Sequence, residues 1–278
     1  MDNQKKGEQL NQFARFLFDE AANNFYLSLI IEIVAGLLAV GITLVSLPEE
    51  GGFAFALIGF GLLAYSYYLR LRFDDQYDTA ETMRRQSVLS EALDWPISSV
   101  QFSDWKVRAS KAALQRTKLE KRADDYYETK SDFGAKKLLE MTAESAFYTR
   151  CLYTKLRGIL VTMLVFSMIA VAIVFSVLPL NLVSDQIALR IAYVIYLLLP
   201  IILSLDLLGW VFKLSRLSKS IKEVESDVER LLKEKRVDEK QAMRLVSEYN
   251  CQVSCGFPIH NILFRLWHDE IRELWENR

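Results

Sequence analysis

The chain has 278 residues, 51% of them hydrophobic and 25% charged, and a formal net charge of −1. Its 34 Lys and Arg nearly match its 35 Asp and Glu, so there is no basic excess of the kind a nucleic-acid polymer binder carries. The totals fit a soluble protein equally well; the distribution along the chain does not.

Residues 1–24 are polar and include Lys5, Lys6, Arg15, Asp19 and Glu20, so a cytosolic segment is expected rather than a cleavable signal peptide. Charge then nearly vanishes in four runs: Phe25–Leu47, Phe53–Leu69, Gly158–Leu180 and Ile187–Phe212. A spanning helix needs about 20 mostly apolar residues, and in lipid each backbone amide must bond within its own segment. The third run has 23 consecutive uncharged residues, more than a buried globular helix usually carries. The expected fold is therefore an all-α integral membrane protein with four spans. Two transmembrane hairpins, 25–71 and 158–212, flank a helical cytosolic insert at 72–157 and precede a helical tail at 213–278.

The two short hairpin loops, 48–52 and 181–186, contain no Lys or Arg. All the basic residues except Arg190 fall in 1–24, 70–157 and 213–278. Positive residues stay on the cytoplasmic side, so both termini and the insert are expected in the cytoplasm of a multi-pass inner-membrane protein. Tyr65, Tyr67, Tyr68 and Trp210 then fall at the inner interface, where amphipathic rings are favoured.

Glu32 lies within the first run and Asp206 within the fourth, both about 10 Å from the inner face at 1.5 Å per residue. A charge deep in the bilayer costs roughly 2.5–3.5 kcal/mol, so such acids face a bundle interior or water. One reading is a cation-attracting ring in an oligomeric pore. The other is that one or both are neutral, or hydrogen-bond a neighbouring helix near the interface. Pro200 removes a backbone donor in the fourth run and predicts a kink, a structural feature or a gating hinge. Small residues in the first hairpin, among them Ala35, Gly41, Gly59 and Gly61, allow close helix contact.

In the insert, Tyr77–Leu93 reads as a helix stopped by Asp94-Trp95-Pro96, and Ser103 as the cap of a second helix to about Ala123. Gly134 breaks the chain before a helix, Lys136–Thr154, that continues into the third span. In the tail, Leu214, Leu217, Ile221, Val224, Val228 and Leu231 follow a 3-4-3-4-3 spacing, a coiled-coil-like seam. It fits association between copies or pairing with the insert equally well. A short helix follows around Lys240–Tyr249. Cys251, Cys255, His260 and His268 lack the spacing of a zinc site, and buried thiols in a reducing cytosol are the expectation. No metal or cofactor is expected, and no phosphate-loop, nucleotide-fold, nucleophile-elbow or metalloprotease signature is present. A non-enzyme is expected. Residues 70–157 balance 17 Lys and Arg against 14 Asp and Glu, yet a small anionic ligand needs only a few placed cations, for which Arg84, Arg85, Lys136 and Lys137 are candidates.

The stretch ADDYYETKSDFGAKKLLEMTAESAFYTRCL carries a Tyr pair (Tyr126, Tyr127), a Lys-Leu-Leu-Glu helix (137–140) and a Glu-Ser-Ala-Phe run (144–147) just before the third span. It resembles a segment of the SMODS-associated four-transmembrane pore-forming effectors, companions of bacterial nucleotide second-messenger synthases in anti-phage (CBASS) defence. Arg84-Arg85 through Asp94-Trp95-Pro96-Ile97-Ser98 looks like the segment upstream of that motif, and GFPIHNILFR is similar to the family's C-terminal proline-plus-aromatic element, with Phe264 where Tyr is more usual. The resemblance implies a homo-oligomeric effector that disrupts the inner membrane on a cyclic oligonucleotide or related signal. The sensing candidates are Arg84, Arg85, Asp125 and Tyr126, with Tyr127, Lys137, Glu144 and Ser145. Two alternatives stand beside this reading: a membrane scaffold recruiting a partner through an uncovered tail seam, and a constitutive ion channel.

Overall fold

The computed structural model of the chain describes residues 3–45, 49–119, 127–129, 131–177 and 206–278. All regular structure among these is helical: α1 Asn3–Val45, α2 Glu49–Leu93, α3 Ser99–Arg108, α4 Lys111–Leu119, α5 Ala135–Val177, α6 Leu207–Leu232, α7 Glu239–Ser254 and α8 Asn261–Glu276. Two compact units result. A polar unit holds Met1–Asn23, Phe73–Thr154 and Leu214–Arg278; an apolar unit holds Asn24–Arg72 and Lys155–Lys213.

In the polar unit, the first part of α1 buries Leu10, Phe13, Ala14 and Leu17, the i, i+3, i+4, i+7 stripe of an amphipathic helix. Ala80 and Met83 of α2 and Ile97, Phe102 and Trp105 around α3 complete that core. Asn3 fastens the α2–α3 connection, donating to the carbonyl of Trp95 at 2.9 Å and accepting from the Ile97 N–H at 2.9 Å. Tyr77–Leu93 is helical, as the C-terminal part of α2. Asp94 ends it with φ 52°, a left-handed conformation that Asp tolerates better than most residues.

The single helix expected from Ser103 to Ala123 is corrected. Ser98 is the cap, accepting from the Val100 N–H, while Ser103 lies inside α3 and donates to the Ser99 carbonyl at 2.8 Å. A break at Ala109 and Ser110 separates α3 from α4. Gly134 does break the chain: its φ is 140°, a conformation only glycine adopts without strain, and its N–H donates to the Ala92 carbonyl at 2.8 Å. Helix α5 then runs unbroken from Ala135 to Val177.

All six residues of the tail seam, Leu214 to Leu231, are buried within the chain along α6. Helix α5 is one neighbour: Arg150 Nε donates to Glu225 Oε2 at 2.6 Å, and the Thr154 and Ser218 hydroxyls lie 3.0 Å apart. Asp238 caps α7 through the Gln241 N–H, and His260 caps α8 through the Ile262 N–H. Cys251 and Cys255 are exposed and Cys151 is half-buried, which corrects the expectation of buried thiols.

In the apolar unit, large side chains face outward: Leu37, Phe53, Phe60, Phe166 and Met168 are all more than half exposed. Among the described residues three helices, α1, α2 and α5, are long and apolar enough to cross a membrane. The apolar segments concerned are those within 25–45, 53–69 and 158–177. Most of the fourth run, and Pro200 with it, lies outside the described residues. Among the described residues of the chain, Gly41, Gly59 and Gly61 have nothing within 4 Å of where a Cβ would stand, so no close helix contact within the chain is made at them.

Candidate functional site

Glu32 makes the hydrogen bond to a neighbouring helix that one of its readings expects. Its carboxylate accepts from Ser66 Oγ at 2.8 Å and from Arg70 Nη2 at 2.8 Å, joining α1 to α2. Ser66, itself buried, also reaches the Ser28 carbonyl at 3.1 Å. Asp206 is corrected: it is exposed, with φ 45°, and stands at the start of α6 rather than inside a continuous helix. Its carboxylate accepts the Gly209 N–H at 3.1 Å, satisfying a donor that every helix N-terminus leaves over.

The polar unit contains a cavity of about 690 Å³, within the range of small-molecule sites. Four of the sensing candidates line it: Arg84, Tyr127, Glu144 and Ser145. Pro258 and Phe264, from the tail stretch GFPIHNILFR, line it as well. Helix α5 presents Glu144, Ser145, Tyr148 and Leu152 at i, i+1, i+4 and i+8, one face of the helix. Arg85 and Lys137 do not contribute. Arg85 donates to the Asn250 carbonyl at 3.0 Å, and the Lys137 ammonium stands 5.1 Å over the Phe133 ring. Asp125 and Tyr126 lie outside the described residues.

Five tyrosines give the cavity its character. Tyr77 Oη donates to the Val253 carbonyl at 3.1 Å, and Tyr153 Oη accepts the Phe257 N–H at 3.2 Å. Ser145 Oγ donates to Tyr127 Oη at 3.3 Å, and Tyr249 Oη lies 3.0 Å from Thr149 Oγ1. Burial pushes the Tyr77 and Tyr153 phenols well above their ordinary value, so both stay neutral hydrogen-bonding groups. The fifth, Tyr148, is half-buried and pushed up to about 12 by burial and then by the Glu144 carboxyl. Gly256 lets the α7–α8 turn approach these phenols. A Cβ there would collide with Tyr153 Oη and the Val253 carbonyl and come within 3.0 Å of Tyr77 Oη.

Arg84 is held by three groups: Glu81 Oε2 at 3.0 Å, Asn250 Oδ1 at 2.8 Å and the Tyr249 ring, 5.6 Å beneath its guanidinium. Burial works against its charge, but the Glu81 carboxylate outweighs that and leaves it raised. Glu144 is different. Burial first, then Glu128 and Glu91, push its carboxyl up to about 7, while the Glu128 N–H that it accepts at 3.1 Å works the other way. Arg15, His268 and Arg272 add positive or titratable groups to the lining. The Ser145 hydroxyl is turned to Tyr127 rather than to His268, so no nucleophile and base are brought together there. Among the described residues no cluster of three metal-ligating side chains occurs.

Sequence reasoning missed Tyr77, Tyr153, Tyr249, Arg15 and Arg272, which meet only through the fold. Compared with protein families, with curated proteins and with solved structures, the chain has no match in any of the three.

Proposed function

We propose that this protein is a membrane effector in a bacterial anti-phage nucleotide-signalling system, gated by a small ligand taken up in the cavity of its polar unit. The observation that carries this reading is convergence. Arg84, Tyr127 with Glu144 and Ser145, and Pro258 with Phe264 come from the three stretches that the sequence resemblance singled out, and all line one cavity. Helix α5 supplies the coupling: Glu144 and Ser145 lie near its start, and the uncharged run from Gly158 lies in the same unbroken helix. A ligand that shifts the α5 face changes the setting of a helix that continues into lipid. Opening of the bilayer by several copies then follows, with no enzymatic step.

The scaffold alternative needed an uncovered tail seam, and that seam is buried. For the effector, purified protein in liposomes should release dye and ions when one member of a cyclic-oligonucleotide panel is added. Correctly inserted protein that leaks under no nucleotide would remove the nucleotide trigger, and leakage independent of any ligand would favour a constitutive channel.

A further inference from the structure

One carboxyl group in the cavity is left half used by the protein around it. Glu144 retains only 9% of its exposure and lines the cavity. Its Oε2 accepts the Glu128 N–H at 3.1 Å, and among the described residues no other donor and no Lys or Arg meets the carboxylate. A buried polar group normally has its partners, and each exception asks for an explanation. The other acids of the lining have theirs: Glu81 is paired with Arg84 at 3.0 Å and Arg85 at 3.4 Å, and Arg272 stands 3.9 Å from Glu128. The Tyr148 hydroxyl, one helical turn from Glu144, also has no hydrogen-bond partner among the described residues. Beside these two groups the walls are rings, with His268 tilted against Tyr148 at 6.2 Å and against Phe264 at 5.3 Å between centroids.

A carboxylate with free acceptor capacity, set among aromatic walls, suits a flat ligand that presents two adjacent N–H donors. Proteins read unstacked bases in this way, by ring stacking and by hydrogen bonds to the Watson–Crick edge. Among the four common bases only guanine has two adjacent donors there, the ring N1–H and the exocyclic amine. Adenine and cytosine set one amine beside a ring acceptor, and the uracil N–H is flanked by two carbonyl oxygens, all of which a carboxylate repels. We propose that the cavity is a guanine-reading site in which the Glu144 carboxylate accepts the N1–H and N2–H of a guanine held between the aromatic walls. This rests on the nucleotide reading above and adds the identity of the base. Arg15 and Arg272 are the further cations of the lining, and a phosphate would compete with Glu276, 2.7 Å from Arg272, and with Glu128, 3.9 Å from it.

The test uses the full chain in lipid nanodiscs and equilibrium dialysis of cyclic dinucleotides that differ only in base. The two-guanine compound should bind about 10- to 100-fold more tightly than the two-adenine compound, the discrimination a bidentate pair supplies. A two-hypoxanthine analogue, lacking the exocyclic amine, should lose most of that advantage, and this arm needs no mutation. Glu144→Gln should abolish the guanine preference and favour xanthine, because the glutamine amide donates to the xanthine C2 carbonyl and accepts its N1–H. Equal binding of guanine and adenine compounds, or a guanine preference untouched by both changes, overturns the guanine assignment and leaves the nucleotide reading standing. Binding of none of these nucleotides overturns both.

Discussion

Among the described residues, the Glu144 carboxylate takes its one hydrogen bond from the backbone N–H of Glu128, sixteen residues upstream, at 3.1 Å. That bond ties the 127–129 stretch to α5 and leaves the carboxyl buried, with Glu128 and Glu91 as the charges that act on it. Its proton is therefore held up to about 7, against an ordinary value of 4.5. A carboxyl raised on folding favours the native state while it is protonated. Its contribution is fully present below pH 4.5 and is lost as pH rises through about 7. Thermal unfolding of the unliganded protein should fall in midpoint across that window, and Glu144→Gln should flatten the dependence. A ligand that donates N–H groups selects the ionised carboxylate, so its binding should weaken as pH drops below about 7. Binding that is flat from pH 6 to 8 would exclude Glu144 as the acceptor.

The α1–α2 junction of the apolar unit makes a second prediction. Arg70 and Ser66 share the Glu32 carboxylate, and the Glu32 side chain is only 16% exposed. Replacing Glu32 by Ala strands a guanidinium and a hydroxyl together, and unfolding in detergent should show a loss of about 1–2 kcal/mol. Glu32→Gln keeps an acceptor for both donors and should lose less. Paired replacement of Glu32 and Arg70 by Ala should cost less than the sum of the two single changes. If the changes simply add, the contact contributes nothing to stability.

Gly256 carries a third. An added methyl cannot fit against Tyr153 Oη and the Val253 carbonyl without moving the α7–α8 turn. Overpacking of this kind costs typically about 1–3 kcal/mol. Gly256→Ala should lower the unfolding midpoint, and Tyr153→Phe in the same chain should restore part of it by removing the colliding hydroxyl. Full stability of Gly256→Ala would mean the turn has slack that the close approach does not suggest.

Much of this architecture is legible in the sequence, for reasons that differ by element. The apolar runs show themselves because charge is excluded from them. Gly134 shows itself because only glycine adopts its φ without strain. The tail spacing identifies a buried face of α6, but periodicity names the face and not its partner, and the partner proves to be within the chain. Asp206 reads as part of an apolar helix because hydropathy is blind to a left-handed φ. The cavity is the least legible part. Tyr77, Tyr153 and Tyr249 lie on three helices, far apart in sequence, and each alone looks like a core aromatic. Glu144 was legible only through a resemblance; that it lacks a cation partner is a tertiary fact.

Glu225 supports the last prediction. It is 2% exposed, the most buried acid among the described residues, and it holds two arginines far apart in sequence: Arg150 Nε at 2.6 Å and Arg278 Nη1 at 2.5 Å. Arg278 also pairs with Glu229 and lies 5.1 Å over the ring of Phe147, in the Glu-Ser-Ala-Phe run, and 5.7 Å over Trp275. A buried ion pair broken from one side leaves an uncompensated charge, which costs about 3–5 kcal/mol. Glu225→Ala strands the Arg150 guanidinium and leaves Arg278 only Glu229, and should cost about 3 kcal/mol, the lower end of that range, in chemical unfolding. Arg150→Ala alone should cost less, because Arg278 still neutralises the carboxylate. Removing both arginines should cost more than the two single changes summed, since only then does Glu225 lose every cation. A double variant no worse than that sum would show that each arginine acts independently, through its own ring and helix contacts rather than through the shared carboxylate.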